Sequence, residues 1–583
     1  MKRIQKSDDL KLQQSARLPI CQIRRGSVLF VVLVVIALLT LASYQFSHIM
    51  STENAASNQY GRRVRARALA DSGIETAAAF LGQRQLLTSD TAAEQNLYHN
   101  PGLFGGKLLY GSDSSPAGGR GRFSVLSPVE NDETAKTVRF GLADESGKLN
   151  INTLLTVTGD SEEGREEAVL ILLAIPGMTE DIAEAILDWI DEDEETIYLT
   201  LEEDLYVGYK PKNGPFESLD ELLLLPDVTP FLLFGADANR NGIIDDGESQ
   251  NAQNMDDDFH PLGWSAFLTV HSRESNKRLD GEEKVNLNEG LLTELYDALE
   301  EEFSEDGNAE EIARFVVAYR MNGPNNAEES PPASAGLVTE NQSGGTSSRQ
   351  GSEQLQKLAQ GTAKALFSAA NNGGQVTRGG MDLSGGAKFK INSFYDLVDA
   401  EVTVTVDGSE ITLKSPWSSS DLPNYISDVL NRVSTTGDES IKGRINVNQA
   451  RREVLLAVIG GVEGFSEDVT LAEDLASKIV AAKMIDGDGQ PLNGTIANRD
   501  TTAWLITDGL VTLEQMRQLD RYLTTRGDVY RAQVIGYYDK GGPISRQEVI
   551  IDASQKPPRV IFQRDLTPLG KGFTPSQLGS PGQ

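Results

Sequence analysis

KLNIN at residues 148–152 recurs as KVNLN at residues 284–288 and as RINVN at residues 444–448. Each copy begins with a basic residue, alternates apolar residues with asparagines, and runs into a segment whose apolar residues have helical spacing. Three copies of a strand end that leads into a helix indicate an internal repeat. The sequence therefore predicts a region built of three related helical modules.

Pairs of short helices follow these motifs. The first copy continues through the turn Pro176-Gly177-Met178, and PFESLDELLLLPDVTPFLL (215–233) adds a second pair in which Pro226 ends a helix. Such pairs resemble helix-hairpin-helix or SAM-like modules, and binding of DNA through the turn is one hypothesis. Acidic residues follow the turn and its second helix, and they would repel phosphate. A packing module for protein contacts is favoured.

Strand-like segments stand on both sides of the modules. RFSVLSP (122–128) and TVRFGLA (137–143) precede them, and three segments, 530–538, 546–552 and 559–563, follow them. The pattern predicts a sheet on either side of a helical insertion.

An apolar segment near the amino terminus, SVLFVVLVVIALLTLASYQF (27–46), contains no charged side chain. At about 1.5 Å per residue it reaches roughly 30 Å, the thickness of one hydrocarbon core. Arg24 and Arg25 precede it within a basic cluster, which keeps the amino terminus cytoplasmic and directs the remainder across the membrane. The segment is predicted to be a transmembrane anchor.

Three interpretations of this amino terminus compete: a cleaved secretory signal, a plain signal anchor and a prepilin leader. The apolar run is longer than the 7 to 15 residues or so of a secretory signal, and Thr40-Leu41-Ala42 is a poor small-x-small site. Arg24-Arg25-Gly26 followed by Ser27 resembles a class III prepilin leader, which is cut between Gly26 and Ser27. Pilins of this class carry Glu at the fifth position after the cut, which here is Val31.

The anchor helix is predicted to continue beyond the bilayer. Apolar residues recur at helical spacing in this stretch: Ala66, Ala70, Ile74, Ala77 and Leu81. The segment resembles the exposed half of a pilin's first helix, which packs on a sheet. A simple amphipathic stalk is the alternative.

Composition excludes several classes of function. The net charge is −33, although the stretch before Ser27 holds seven basic and only two acidic side chains. Such an acidic body disfavours nucleic acid and favours divalent cations. The only cysteine is Cys21, before the anchor, and there are four histidines, so disulfides, thiol catalysis and zinc hydrolysis are disfavoured in the body.

A calcium loop is predicted at DANRNGIIDDGE (237–248), which fits the 12-residue pattern of oxygen ligands with Gly242 at position 6. The ligands would be Asp237, Asn239, Asn241, the Ile243 carbonyl, Asp245 through water and Glu248. The calcium would be structural, and an acidic surface turn is the alternative. Weaker candidates for a second ion lie near Asp256 and Asp486.

Several motifs in this order resemble the minor pseudopilin K family of type II secretion systems: the leader, GKLNINTLL (147–155), IPGMTEDIAEAILDWIDED (175–193), PFESLDELLLLP (215–226) and the ending from Gly527. The resemblance implies an α+β fold: a long amino-terminal transmembrane helix on a pilin-like antiparallel sheet, with a large insertion of helix-hairpin (SAM-like) modules. The chain departs from the family in its length, an extra repeat and a polar stretch at 322–386.

The predicted divisions follow the chain from leader to tail. They are a cytoplasmic leader (1–26), the transmembrane and stalk helix (27–85), the first part of the sheet (86–146), module 1 with the calcium loop (147–275), module 2 (276–400) interrupted by a disordered linker (322–386), a strand and linker segment (401–442), module 3 (443–527), and the last strands and tail (528–583).

The resemblance implies a structural assembly and initiation subunit at the tip of the pseudopilus, not an enzyme. The absence of Glu at position 31 favours the tip, where no subunit lies ahead. Its partners would be minor pseudopilins of the I and J types, the prepilin peptidase, the inner-membrane secretion platform, and the secretin or a secreted substrate, without nucleic acid. It would lie in the inner membrane as a single-pass protein with a periplasmic body.

Two other functions stay open. One is a helix-hairpin-helix DNA-uptake protein or a relative of type IV pili. The other is a membrane-anchored hydrolase, although no Ser-His-Asp arrangement, phosphate-binding glycine loop or paired-acid motif supports it.

Overall fold

The structure is a computed structural model. It describes residues 25–83, 97–112, 114–130, 132, 134–159, 161–191, 211–255, 258–325, 376–462, 464–466, 468–483 and 499–579. The chain forms two compact units, Met1–Arg65 and Ala66–Gln583.

The first helix, α1, spans Arg25–Gln83. Within the described part of the chain it is the one helix long and apolar enough to cross a membrane. Its continuity follows from a run of helix formers without an internal proline. The length and composition of α1 fit a single-pass membrane anchor.

The second unit contains one main antiparallel sheet. Its strands are β1 (Lys107–Tyr110), β2 (Gly121–Pro128), β3 (Val138–Arg139), β4 (Ala143–Asp144), β17 (Val529–Tyr538), β18 (Ser545–Asp552) and β19 (Arg559–Asp565). The order is β1-β2-β17-β18-β19, with β3 beside β2 and β4 beside β17. A short helix, α2 (Pro101–Phe104), precedes β1. The predicted α+β class is confirmed.

The carboxyl-terminal part of α1, from Ala66 to Leu81, packs on this sheet. The five residues predicted for its buried face, Ala66, Ala70, Ile74, Ala77 and Leu81, are each at most 5% exposed. Contact is close because a Cβ on Gly536 of β17 would lie 2.0 Å from the Ala66 carbonyl oxygen. Small residues on both elements therefore set the distance between helix and sheet.

The helix runs antiparallel to β17. Its residue 66 lies at Gly536, and Gly82 lies near Pro558, which precedes β19. Arg559 pairs with Asp552, and Asp552 pairs with Val529, so this is the end where β17 begins. The carboxyl end of α1 thus points to the start of β17.

A large helical region is inserted at that end of the sheet. The chain leaves the sheet after Asp144 of β4 and returns at Val529 of β17, and the two strands pair, with Asp144 opposite Tyr530. Residues 145–528 are therefore inserted in the sequence between two strands that pair with each other. The strands predicted after the modules thus return to the same sheet as those before them.

The inserted region holds the remaining helices. They are α3 (Leu154–Thr158), α4 (Glu162–Leu173), α5 (Glu180–Ile190), α6 (Pro230–Phe234), α7 (Ser249–Gln253), α8 (Leu292–Glu302), α9 (Ala309–Asn322), α10 (Leu422–Arg432), α11 (Arg452–Gly461), α12 (Val469–Lys483), α13 (Trp504–Thr507) and α14 (Leu513–Leu519). Its short strands are β5 (Leu149–Asn150), β6 (Leu268–Thr269), β7 (Arg273–Ser275), β8 (Val285–Asn286), β9 (Thr377–Arg378), β10 (Met381–Asp382), β11 (Glu401–Val406), β12 (Ser409–Lys414), β13 (Val433–Ser434), β14 (Ser440–Lys442), β15 (Ile445–Asn446) and β16 (Leu523–Thr524). One continuous core joins the modules.

The three repeated motifs share one geometry. Each forms a two-residue parallel pair with a later strand: β5 with β6, β8 with β13 and β15 with β16. In each motif the first asparagine accepts, through Oδ1, the main-chain N–H of the second, at 3.0–3.1 Å. Each motif therefore closes one module against the strand that ends it.

The second asparagine of each motif also bridges the two ends of its module. Nδ2 of Asn152 donates to the carbonyls of Phe216 and Val270. Asn288 and Asn448 bond the equivalent residues Thr435 and Thr525, each one position beyond the closing strand. Buried main-chain groups need such partners, which is why an amide side chain is required there.

In the sequence, the second module is inserted between the first and third modules. Its flanks, β7 and β14, pair antiparallel, with Ser275 opposite Ser440. The module thus leaves and re-enters the rest of the body at one place.

Two parts of the predicted divisions differ from the structure. Residues 376–386, predicted as disordered linker, instead contain β9 and β10, because Met381 and Leu383 are buried. Segment 401–442 holds the β11–β12 hairpin and α10, and its Val433 pairs with Val285, which joins it to the second module.

The predicted strand 137–143 is also divided. β3 and β4 belong to different neighbours, because the chain bends at Gly141, where a Cβ would lie 2.1 Å from the Tyr98 carbonyl oxygen.

Candidate functional site

The predicted calcium loop, 237–248, lies between α6 and α7 in the first module. Gly242, at position 6, has φ +79°, as the sharp turn of such a loop requires. Asp237 accepts main-chain N–H groups through both carboxylate oxygens, from Asn241 at 3.0 Å and from Gly242 at 2.7 Å. The first ligand position therefore holds the turn together.

The side chains predicted to bind the ion meet one another. Nδ2 of Asn239 donates to Oδ2 of Asp245 at 2.7 Å and to Oε1 of Glu248 at 3.2 Å. Asn241 also reaches Asp245, at 3.0 Å. These four side chains thus face a common centre. Ile243, whose carbonyl is another of the six predicted ligands, is 2% exposed.

The donor set fits calcium in chemical terms. Carboxylates, amide oxygens and a main-chain carbonyl are the ligands that this ion prefers. Oδ1 of Asn239 is buried and has no hydrogen-bond partner. Rotation of that amide by half a turn, which exchanges oxygen and nitrogen without changing its shape, would direct Oδ1 at the carboxylates of Asp245 and Glu248, and a cation between them would then be required.

The acidic side chains of the loop do not form a tight cluster. Across the described residues, no three His, Cys, Asp or Glu side chains come together as a metal-binding group. Burial raises the pKa of Asp237 to about 7, and the nearby Glu248 charge adds to that rise against two lowering hydrogen bonds. A bound cation would favour the ionised form of Asp237.

The loop packs on the main sheet. Arg546 of β18, which is 0% exposed, donates through Nη2 to the Asn239 carbonyl. Gln533 of β17 donates to the Arg240 carbonyl at 2.6 Å, and Ile244 N donates to the Ala135 carbonyl at 2.7 Å. An ion in this loop would therefore fasten the first module to the sheet.

Sequence reasoning missed these supporting residues. Arg546 and Gln533 lie far along the chain from the loop, and each stands in an ordinary strand pattern. A charged residue at a core position of β18 was the one available signal.

Other predicted site residues lie outside this centre. Gly26 and Ser27 are the second and third residues of α1. Val31 is 59% exposed in the same helix. Asp256 and Asp486, the weaker ion candidates, lie outside the described residues.

Comparison with known proteins gives one family match. Residues 147–233 match the model of the type II secretion system (T2SS), protein K. This segment contains the first repeated motif, α3 to α5, all but the last residue of α6, and the turn at Gly177. The resemblance inferred from the sequence is confirmed by this match.

Two further comparisons add little. No curated protein matches the chain. Among solved structures, the chain is similar to one from the GspK-GspI-GspJ complex of the enterotoxigenic Escherichia coli type 2 secretion system, with 11% identity and a TM-score of 0.34 over 88% of this chain and 99% of that one. A likeness at this level establishes neither topology nor partners.

Proposed function

We propose that the chain, whose residues 147–233 match the type II secretion protein K model, is a minor pseudopilin of that family. It stands at the tip of the pseudopilus and supports assembly of the filament for protein secretion across the outer membrane. Minor pseudopilins of this family are structural, so the chain is not an enzyme.

The position of the insertion is the observation that carries the tip proposal. Residues 145–528 leave and re-enter the sheet at the end to which the carboxyl end of α1 points. Subunits of such filaments stack along their first helices, with their amino termini toward the membrane. A body of this size, inserted at the end of the sheet to which residues 66–83 of α1 point, would occupy the space of a subunit ahead, which suits the leading position.

Val31 supports the same proposal. In the resembling pilins a Glu at this position docks on the amino terminus of the subunit ahead. An unpaired carboxylate in hydrocarbon costs about 2.5–3.5 kcal/mol on insertion scales. A leading subunit has no such partner, so an apolar residue is favoured there.

The number of copies tests the tip position. Among filaments of different length, a tip subunit stays at a constant number of copies per filament. We expect the ratio of this chain to the major pseudopilin, measured by quantitative mass spectrometry of sheared filaments, to fall as length rises. A constant ratio along the filament would contradict the proposal.

The proposed partners follow from the same position. They are minor pseudopilins of the I and J types, the prepilin peptidase, the inner-membrane platform, and the secretin or a secreted substrate. The chain would lie in the inner membrane with a periplasmic body. Co-purification of the full chain with I- and J-type subunits from detergent-solubilised membranes tests the first of these. Recovery of the chain alone under conditions that preserve other pseudopilin contacts would count against it.

Maturation is proposed to occur between Gly26 and Ser27. Mass spectrometry of the mature amino terminus should find N-methylated Ser27. Gly26→Leu should leave the leader uncut, because the resembling leaders are cut after a glycine and a bulky side chain does not meet that requirement, whereas Val28→Leu serves as a control on the other side of the cut. A start at any other residue contradicts the proposal.

We also propose that the 237–248 loop binds a structural calcium ion. The support is the convergence of Asn239, Asn241, Asp245 and Glu248, and the orphaned Oδ1 of Asn239. External calcium is abundant, so the ion would stiffen the loop rather than report a signal.

Calorimetric titration of the full chain with calcium tests this site. We expect one strong event that Glu248→Gln abolishes and that Asp246→Asn leaves intact, since Asp246 is exposed and stands at a position that provides no ligand. Binding that survives Glu248→Gln would place the ion elsewhere.

The modules are proposed to be helix-hairpin (SAM-like) units that serve protein contacts. The turn between α4 and α5 supports this, because Gly177 has φ +74° and the next helix begins with Glu180 and Asp181. Gel-shift binding of DNA by the full chain at moderate salt would instead favour the DNA-uptake hypothesis.

A further inference from the structure

The carboxyl-terminal segment 566–579 meets the calcium loop at Asn241, whose Nδ2 donates to the Gly572 carbonyl. We propose that occupation of the loop by a cation and seating of this segment on the sheet are coupled, so that the segment is a calcium-dependent cover. The inference rests on the proposed calcium site and adds a consequence of binding that the site alone does not require.

The Asn241 side chain contacts both the proposed calcium loop and the carboxyl-terminal segment. Its Oδ1 is on the loop side, where it accepts the Ile243 N–H at 2.9 Å, and its Nδ2 is shared between Asp245 and Gly572. An ion held by Oδ1 fixes the plane of the amide and therefore the direction of Nδ2. The same orientation of one side chain serves the ion and the carboxyl-terminal segment.

Arg546 joins the segment to the loop a second time. Gly572 has φ +72°, and a Cβ on it would lie 2.0 Å from Nη1 of Arg546. The same guanidinium donates to the Asn239 carbonyl. Movement of the loop main chain at Asn239 therefore displaces the surface on which Gly572 rests.

The segment covers the face of the sheet opposite α1. Phe573 and Leu578 are 6% and 7% exposed, and they pack in one cluster with Leu126, Ile535 and Tyr537. The Leu578 carbonyl accepts hydrogen bonds from Oγ of Ser124 and Oη of Tyr537, both at 2.7 Å. Release of the segment would expose this apolar face.

Charge explains why the cation matters. Asp245 and Glu248 lie within one loop, where the Asn239 amide bridges them, and the repulsion between two carboxylates favours a wider loop when no cation is bound. A wider loop breaks the shared geometry at Asn241. Coupling between two sites is reciprocal, so whatever loosens the segment must weaken calcium binding by the same factor.

The test uses the full chain in detergent, with calcium as the probe. Hydrogen exchange of amides 572–578 should slow about tenfold when calcium is added, within the range usual for coupled sites. Glu248→Gln should remove the effect, whereas Asp246→Asn should retain it.

A pair of variants tests the reverse direction. Phe573→Ala weakens the seating without touching the loop, and it should raise the Kd for calcium several-fold. Leu569→Ala, in the same segment but 41% exposed, should leave that Kd unchanged. Near-native circular dichroism of both variants would show that the fold is retained.

The outcomes separate the two proposals. Calcium binding with unchanged exchange in 572–578 and equal Kd values for Phe573→Ala and the native chain overturns the coupling and leaves the calcium site standing. Absence of calcium binding in the native chain overturns both.

Discussion

The first module meets the sheet through pairs of opposite charges, whereas between the second and third modules charged side chains bond neutral groups. Arg531 of β17 bonds Glu145 and Glu548 at 2.8–2.9 Å, and Arg564 of β19 continues from Glu548 to Asp220 of the first module. Glu145 is 0% exposed. Buried charges of this kind persist only as complete sets.

The second contact is built differently. Tyr395 of the second module meets Thr502 of the third at 3.1 Å, and Arg517 of α14 donates to the carbonyls of Tyr395 and Val398. Phe394 and Leu397 are buried beside them. The comparison teaches that one repeated fold can be attached by two kinds of interface, with different responses to mutation and acid.

The largest expected effect comes from Arg531→Met. It leaves Glu145 and Glu548 buried without their shared cation, which costs about 3–5 kcal/mol of unfolding free energy. Chemical denaturation of the full chain measures this. The control, Arg314→Met, removes an exposed helical pair with Glu310 and should cost about 0.5 kcal/mol or less. Equal losses would contradict the structure.

The repeated asparagines should come next. Asn152→Ala and Asn288→Ala each remove a side chain that donates to two carbonyls and accepts one N–H. The expected cost is about 1–3 kcal/mol each. Asn448 donates to two carbonyls, but its Oδ1 has no partner, so Asn448→Ala should cost less. A larger loss of unfolding free energy for Asn448→Ala than for the other two variants would contradict this order.

A smaller loss is expected from Arg517→Met, the same substitution made at the second interface. Its partners there are main-chain carbonyls rather than buried carboxylates, so about 1 kcal/mol is expected. Denaturation curves of this variant and of Arg531→Met, recorded side by side, compare the interfaces directly. A cost above that of Arg531→Met would show that the second interface is the stronger one.

The smallest expected effect is the change in stability on mild acidification from neutral pH. Burial opposes ionisation of Glu145 and Glu548, but the Arg531 charge outweighs it and holds the pKa of each below its usual range. Their contribution is complete above the ordinary glutamate pKa of about 4.3 and is lost as pH falls below it.

Acid should act oppositely on the second interface. Burial raises the pKa of Asp520, which accepts from Ser393, so protonation relieves a cost as pH falls. Hydrogen exchange corrected for intrinsic rates, at pH 6 and pH 3.5, should show earlier opening at 529–535 than at 393–398. Simultaneous opening would argue against two separate interfaces.

Much of the fold could be predicted from the sequence because its signals are local. The uncharged run at 27–46, the helical spacing from Ala66 to Leu81 and strands such as 530–538 each carry their own periodicity. The proposed calcium loop is also local, since all its predicted ligands lie between Asp237 and Glu248. The repeated asparagines were visible as a pattern, but their hydrogen-bond partners were not.

The sequence by itself determined the apolar anchor helix, the α+β class, the three motifs and the oxygen-bearing side chains of the proposed calcium loop, because each depends on neighbours along the chain. Only the tertiary structure decided that β4 and β17 pair around the insertion, that the second module is nested between β7 and β14, and that Arg546 and Gly572 support the loop. Those contacts join residues far apart in the chain. Two-residue strands such as β15 and β16 are also too short to show hydrophobic periodicity. Burial and charge pairing in three dimensions select them.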